Sequence, residues 1–397
     1  MKKRTREVIF LIFFIGFLIA APIVVLYTAG YRYNFGTGQI VQTGVLSLSS
    51  TPKNAVVSLD GNPTRASTPI LLKNILPGNH RVRVEKAGYS AWEKNLAVES
   101  RSTTFADDIV LFLETDPSLL RETSLTTTRF HSETGRAAYA RTEGQWTEIW
   151  TYDPKTTEET LVNRISTDSN ARVELDWPRA DSSVLSIRTV AGGKTTVAYV
   201  DANTGNALDS LPDSDVDLSV LTDRVAVSRR DEGTASNVIL AYVPLGSYEL
   251  KPSPDGIVML EDAVRRRVVL VRADGGDQPI LLNANASFWE WEPNGKRLLY
   301  SDGFDLHVYD ASTHTDTTIT RLSSAVTGVA WYPAHATVLY AQADAVYAAE
   351  LDHRDGRNTV RLVTGTNLGI MHVQDTSLYF FGTLNEKSGL FARVLDR

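Results

Sequence analysis

The sequence predicts a mainly β protein: an N-terminal transmembrane helix, a small β-sandwich, and a β-propeller of about seven blades. Three observations carry this. Val8 to Leu26 is one uncharged apolar run, a block of short alternating strands closes near residue 114, and a strand motif then returns about every forty residues. The expected organisation is residues 1–30 as cytoplasmic tail and anchor, 31–44 as linker, 45–114 as sandwich and 115–397 as propeller.

The run VIFLIFFIGFLIAAPIVVL has no polar side chain. At ~1.5 Å per residue it crosses a hydrocarbon core of roughly 30 Å as a helix. Val8, Leu11, Phe14, Leu18 and Leu26 sample its lipid-facing surface. Lys2, Lys3, Arg4 and Arg6 precede it, whereas the first basic residue beyond it is Arg32. Positive charge stays on the cytoplasmic side, so the expected topology is a single-pass cell-membrane protein with a cytoplasmic N-terminus and extracytoplasmic domains. A cleaved signal is the rival reading; its apolar region would be shorter, about 7–15 residues. Tyr27, Tyr31 and Tyr33 fall where amphipathic rings favour the membrane–water boundary.

Composition narrows the function classes. The formal net charge is −7, and outside the first six residues the basic cluster is Arg265-Arg266-Arg267, which runs into the strand-like Val268 to Val271. Nucleic acid is therefore not an expected partner, since binding it needs clustered Lys and Arg. There is no cysteine, which rules out disulfides, thiolate metal sites and a cysteine nucleophile.

From Val45 the pattern alternates: Val45 to Ser49, Ala55 to Leu59 closed by Asp60-Gly61, Ile70 to Leu72, His80 to Glu85, Lys94 to Val98, and Ile109 to Leu113. Within it stand STPKNAVVSLDG, Thr68-Pro69, and LPGNHRVRVEKAGYSAWEKNLAV, with the turn Pro77-Gly78 followed by alternating valines and Gly88-Tyr89. This block resembles a PEGA domain. The resemblance implies a small sandwich and occurrence in cell-envelope proteins, and it transfers no catalytic residue.

Beyond Leu119 the repeat is clearest at Trp291-Glu292-Pro293-Asn294-Gly295 with Leu298 to Tyr300. It returns at Trp331-Tyr332-Pro333 and at His372 to Gln374, and earlier at Phe130, Trp177-Pro178 and Ser253 to Gly256. Leu218 to Val227 is a degenerate copy. Periods near forty with several strands per unit indicate a propeller. The form Trp-x-Pro-x-Gly-x-x-Leu-x-Tyr resembles TolB-like and WD40-like repeats, which implies architecture and little about activity. Counting seven repeats from Phe130 leaves the final one a strand short. Ser118 to Ser124 is the unassigned segment, so Leu119 to Thr123 within it is expected to pair with Leu390 to Leu395 and close the ring.

No motif with chemistry stands up. Asp213, Asp215 and Asp217 are spaced like the start of a calcium loop, but Leu218 stands where its glycine belongs and Arg224 where its glutamate belongs. The seven histidines have no metal-binding spacing, and Gly192-Gly193-Lys194-Thr195 lacks a phosphate loop's upstream glycine and reads as a hairpin turn. No cofactor and no catalytic residue is expected. Trp177, Trp291 and Trp331 hold equivalent repeat positions and should pack between blades, whereas Phe288 and Trp289 alternate with that pattern and are the candidate exposed binding aromatics. The chain thus reads as an envelope binding or scaffold module for a protein or glycan. The alternative is an envelope enzyme, a propeller glycosidase or lyase, which would need carboxylates converging near the axis.

Overall fold

The computed structural model describes every residue except 1–2, 37, 126, 133, 167–171, 180–181, 210–214, 231–236 and 334, and only the backbone of 3–8. The protein is mainly β with one N-terminal apolar helix. Two compact units form: residues 1–114 together with 352–358 and 396, and the rest of the chain.

In the first unit, α1 spans Lys3–Thr28. Its segment Ile9–Thr28 has a mean hydropathy of 3.1 with none of it buried, so the helix is long and apolar enough to cross a membrane. The segment expected to be a linker is instead a hairpin, β1 (Tyr31–Asn34) against β2 (Gln39–Gln42). Its glycines read as helix breakers, yet Gly38 at φ 69° is what lets the chain reverse. The Thr43 amide closes the hairpin base by donating to the Gly30 carbonyl at 2.9 Å.

The sandwich follows: β3 (Gly44–Thr51), β4 (Val56–Leu59), β5 (Asn62–Ser67), β6 (Ile70–Ile75), β7 (Gly78–Glu85), β8 (Trp92–Val98) and β9 (Thr103–Val110). One sheet runs β6–β3–β9, with β3 and β9 parallel, and the other β5–β4–β7–β8. In β3 every second residue is buried, so Leu46 and Leu48 face Val57, Val82, Val84, Trp92 and Leu96 in the core. Two expectations are corrected here. The strand β5 went unseen because NPTRAS has no apolar alternation; it is held as the return arm of the Asp60-Gly61 turn, both residues at positive φ. The last strand is Thr103–Val110 rather than 109–113, because Leu111 and Phe112 are buried beyond the ladder's end and Leu113 bridges to Tyr89 instead.

In the second unit β10 (Ser118–Glu122) comes first in sequence but pairs last. Seven antiparallel sheets are formed by the described residues. The first holds β11 (Thr128–Phe130), β12 (Ala137–Glu143), β13 (Trp146–Tyr152) and β14 (Glu159–Ser166). The second holds β15 (Arg172–Asp176), β16 (Val184–Ala191), β17 (Lys194–Asp201) and β18 (Ala207–Leu208). The third has three strands, β19 (Val216–Val220), β20 (Arg224–Arg230) and β21 (Asn237–Pro244). The fourth holds β22 (Glu249–Lys251), β23 (Ile257–Asp262), β24 (Arg267–Arg272) and β25 (Ile280–Asn285). The fifth holds β26 (Phe288–Trp291), β27 (Arg297–Ser301), β28 (Asp305–Asp310) and β29 (Thr315–Arg321). The sixth holds β30 (Val326–Tyr332), β31 (Thr337–Gln342), β32 (Ala345–Glu350) and β33 (Thr359–Thr364). The seventh holds β34 (Met371–Gln374), β35 (Ser377–Leu384) and β36 (Lys387–Val394), with β10 on the free side of β36.

The pairing of β10 with β36 matches the strand exchange expected from the repeat arithmetic: Ser118 opposes Ala392 and Leu119 opposes Phe391. Apolar clusters bind neighbouring sheets. Ile149 and Val162 pack with Leu175, Leu185 and Ile187; Val227 and Leu240 with Leu260 and Val269; Tyr139 with Phe381 and Leu390. One further regularity recurs at the outermost strand. The ladders of β14, β25, β29, β33 and β10 to their inner neighbours each skip one residue, respectively Val162, Leu281, Ile319, Leu362 and Leu120. Such a bulge turns an extra apolar side chain inward and bends the outer strand around the sheet. The hairpin expected at Gly192-Gly193 is present, with both glycines at positive φ between paired Ala191 and Lys194.

Candidate functional site

The first strands of six of the seven sheets converge on one pocket of about 90 Å³. Its lining includes Arg129 and Phe130 from β11, Asp176 from β15, Lys251 from β22, Phe288 to Glu290 from β26, Val329 from β30 and His372 from β34. Short first strands put these side chains there: they span only three to seven residues, so each offers one to three positions to the pocket.

Charge organises the pocket. The Lys251 ammonium, with only 4% of its side chain exposed, meets three carboxylates: Asp176 at 2.6 Å, Glu249 at 3.1 Å and Glu261 at 3.2 Å. Arg129 stands 3.6 Å from the other Asp176 oxygen. Burial alone would push the Asp176 carboxyl up; the charges of Lys251 and Arg129 outweigh it and hold the group below the usual carboxylate range. For Lys251, burial lowers the affinity for the proton, and the surrounding carboxylates reverse that and hold the ammonium above its usual value.

A second network lies across the pocket. Glu290 accepts from the Trp331 backbone amide at 2.7 Å and lies 3.1 Å from Nδ1 of His372. The Trp331 indole N–H donates to the Glu290 carbonyl at 3.0 Å, and the Arg297 guanidinium sits 4.7 Å from its ring centre. A wider basin of about 1290 Å³ adjoins this pocket and shares Arg129, Asp176, Lys251, Glu261 and Phe288 with it. Its wall adds Arg188, which pairs with Glu249.

Trp331→Phe is expected to lose about 0.5–1.5 kcal/mol of unfolding free energy, because it removes one buried hydrogen bond while keeping most of the apolar area. Guanidinium denaturation of the two proteins checks this; equal midpoints would deny the bond any role.

The residues singled out in the sequence fall as follows. Phe288 and Trp289 do line the pocket, but both are half-buried: Trp289 donates its indole N–H to Glu261 at 2.8 Å. Trp177 and Trp331 are buried, while Trp291 is half-buried and directs its N–H at the Met259 sulfur, 3.2 Å away. Of the seven histidines, His307 stacks on Tyr300 with ring centres 4.8 Å apart. Leu11, Phe14, Leu18 and Leu26 are exposed along α1, and the side chain of Val8 lies outside the described residues. Tyr27 and Tyr33 are exposed, Tyr31 half-buried, and the Arg32 guanidinium covers the Tyr27 ring at 3.7 Å. Asp213 of the calcium-like spacing lies outside the described residues; Asp215 pairs with Arg229. Among the described residues no three His, Asp or Glu side chains are placed to hold a metal. The lysine–carboxylate cluster was not foreseen. Arg129, Asp176 and Lys251 lie far apart in sequence, and no spacing rule links them.

Residues 43–110 match the PEGA domain family. A comparison of the whole chain with curated proteins finds no match. Among solved structures, a chain of the mitotic checkpoint complex shares 14% identity at a TM-score of 0.46, covering 70% of this chain and 91% of that one. Raptor of Chaetomium thermophilum shares 12% identity at a TM-score of 0.42, covering 70% of this chain and 29% of Raptor.

Proposed function

We propose that this chain is a membrane-anchored, extracytoplasmic binding scaffold of the bacterial cell envelope. In this reading α1 is a retained single span with its N-terminus in the cytoplasm. The PEGA sandwich is the spacer, and the seven sheets close as a seven-bladed propeller. The pocket face is the platform for a protein or glycan partner.

The observation that carries it is the state of the pocket's carboxylates. Asp176, Glu249 and Glu261 surround one lysine, and Glu290 is held by a backbone amide beside His372. A glycosidase needs one carboxyl kept protonated as general acid, its proton affinity raised. Here Asp176 is driven the opposite way. Six sheets offering half-buried aromatic and charged side chains around one concavity is the arrangement of a recognition surface.

The test compares the full chain with Phe288→Ala in a glycan array and in an envelope pull-down. A defined partner retained by the natural protein and lost by an equally stable variant is the expected result. Hydrolysis of an envelope polymer by the pure protein, abolished by Glu261→Gln, would replace this reading with the enzymatic one.

A further inference from the structure

The hairpin β1–β2 is a two-stranded sheet with no third strand beside it among the described residues. Such a hairpin is marginal in water and needs a surface to pack on. Its base has one. The Gln42 side chain donates to the Ala29 carbonyl at 3.0 Å, and the Thr43 hydroxyl, like the Thr43 amide, donates to the Gly30 carbonyl at 2.9 Å. The Arg32 guanidinium donates to the Tyr27 carbonyl at 2.7 Å and to the Tyr31 carbonyl at 2.8 Å. The hairpin is thus fastened to the last turn of α1, where the apolar run ends.

Its outer half is left bare. Tyr33 opposes Ile40, so the two share a face. The Phe35 ring meets the Tyr33 ring edge-on, with centres 5.0 Å apart. Tyr33 is 50% exposed, Ile40 61% and Phe35 90%. Large apolar side chains gathered on an exposed face mark a contact surface. Charge points to what the contact is. Between Val8 and Pro52 the one charged side chain is Arg32, in a chain that is 22% charged. That charge is turned onto carbonyls at the C-terminal end of α1, where a cation is favoured. A charge-free surface therefore runs from the exposed helix into the hairpin without a break. Distance agrees: β1 has four residues, about 13 Å, so Phe35 stays close to the level at which α1 ends.

We infer that β1–β2 is a second membrane contact: it lies along the bilayer surface beside α1 and sinks Tyr33, Phe35 and Ile40 into the boundary between headgroups and acyl chains. The inference rests on the reading of α1 as a retained span. Aromatic rings favour that boundary, and apolar faces bury themselves in it. Three side chains bind lipid weakly alone, but α1 holds them at the surface, so the second contact forms within one molecule. Two attachments in place of one fix the direction in which the sandwich leaves the membrane; a plain linker would let it swing.

The chain has no cysteine, so single cysteines can carry nitroxide labels one at a time. The full-length chain is labelled at Phe35→Cys, at Leu18→Cys within α1, and at Lys53→Cys, exposed beyond the far end of β3. Each is placed in phosphatidylethanolamine–phosphatidylglycerol vesicles. Relaxation by oxygen, which concentrates in lipid, is compared with relaxation by a water-soluble nickel chelate. Labels 18 and 35 should meet oxygen and label 53 nickel. Ile40→Glu added to Phe35→Cys should raise nickel contact severalfold, since a carboxylate is costly in that layer. Melting curves check that the fold is kept. Nickel contact at 35 with oxygen contact at 18 would overturn the inference and leave the span standing. Nickel contact at 18 would remove the span and the inference together. Shielding of label 35 from both reagents would mean that a second copy covers the patch, and would overturn the inference too. So would a label 35 that stays in lipid despite Ile40→Glu, because the shared face would then not carry the insertion.

Discussion

Gly389→Ala should lower the melting temperature by roughly 6–12 °C. Gly389 opposes Glu122 where β36 meets β10, and a Cβ there would overlap the Arg121 carbonyl oxygen and lie only 3.0 Å from the Glu122 Cα. The obstacle is backbone on both sides, so no side chain can swing away; β10 must lift off. Forced overpacking of this kind costs about 3 kcal/mol, and each kcal/mol is worth about 2–4 °C in a unit of this size. Calorimetry measures the shift, and limited trypsinolysis should show faster cutting at Arg121 once β10 frays. Lys387→Ala, on an exposed side chain of the same strand, is the comparison and should change little. An unaltered melting curve for Gly389→Ala would mean that β10 does not pair with β36.

Lys251→Met should be the other severe change. It keeps the length of the side chain and removes the cation from among Asp176, Glu249 and Glu261. Breaking a buried pair by deleting one partner costs about 3–5 kcal/mol, because the remaining charge stays buried. Arg129 still faces Asp176, which places the expectation near the lower figure. The pH dependence has a definite sign. Asp176 is held below its ordinary value in the folded protein, so its stabilisation is present above that ordinary value, about 3.9, and fades as pH falls through the folded one. Lys251 is held above its ordinary value, so its share is present below about 10.4 and is lost only as pH rises through the folded one. The gap between natural and variant protein is therefore widest near neutrality and narrows toward pH 4, where the abandoned Asp176 carboxylate takes up a proton. Guanidinium midpoints at pH 7 and pH 4 report it. A gap that widens in acid would show that the lysine does not compensate these carboxylates.

What the sequence made legible follows from which forces act locally. Alternation along β3, β7 and β8 is written in every second residue, because one face of each strand is buried and the other is not. The repeat of forty and the strand exchange at β10 were countable, since each sheet needs the same number of strands. Where a strand is held by its neighbours and not by its own pattern, as Asn62–Ser67 is, no local signal exists. The third sheet announced itself only as a degenerate copy at Leu218 to Val227, and it is the bulge at Leu240 that likens β21 to the last strands of its neighbours. The pocket was half legible. Phe288 and Trp289 were found by their offset from the repeat, yet their burial depends on Glu261 and on neighbouring sheets. The charge cluster is a product of topology: it gathers Arg129, Asp176, Lys251 and Glu261 from three different sheets.

The pairing of β10 with β36 also sets a clock. Ser118 and Ala392, joined by a side-chain bond as well as by register, are 274 positions apart. A chain that emerges from its N-terminus makes β10 first and must hold it unpaired until β36 appears. At synthesis rates of about 5–20 residues per second that wait is roughly 14–55 seconds. During it, both the lone strand and the bare side of the seventh sheet are edges that another chain could occupy. Non-local pairing of this kind is slow to form once available, because the loop must be closed before the contact rewards it. The interval before completion, more than the stability of the finished unit, is when this protein is exposed to mispairing.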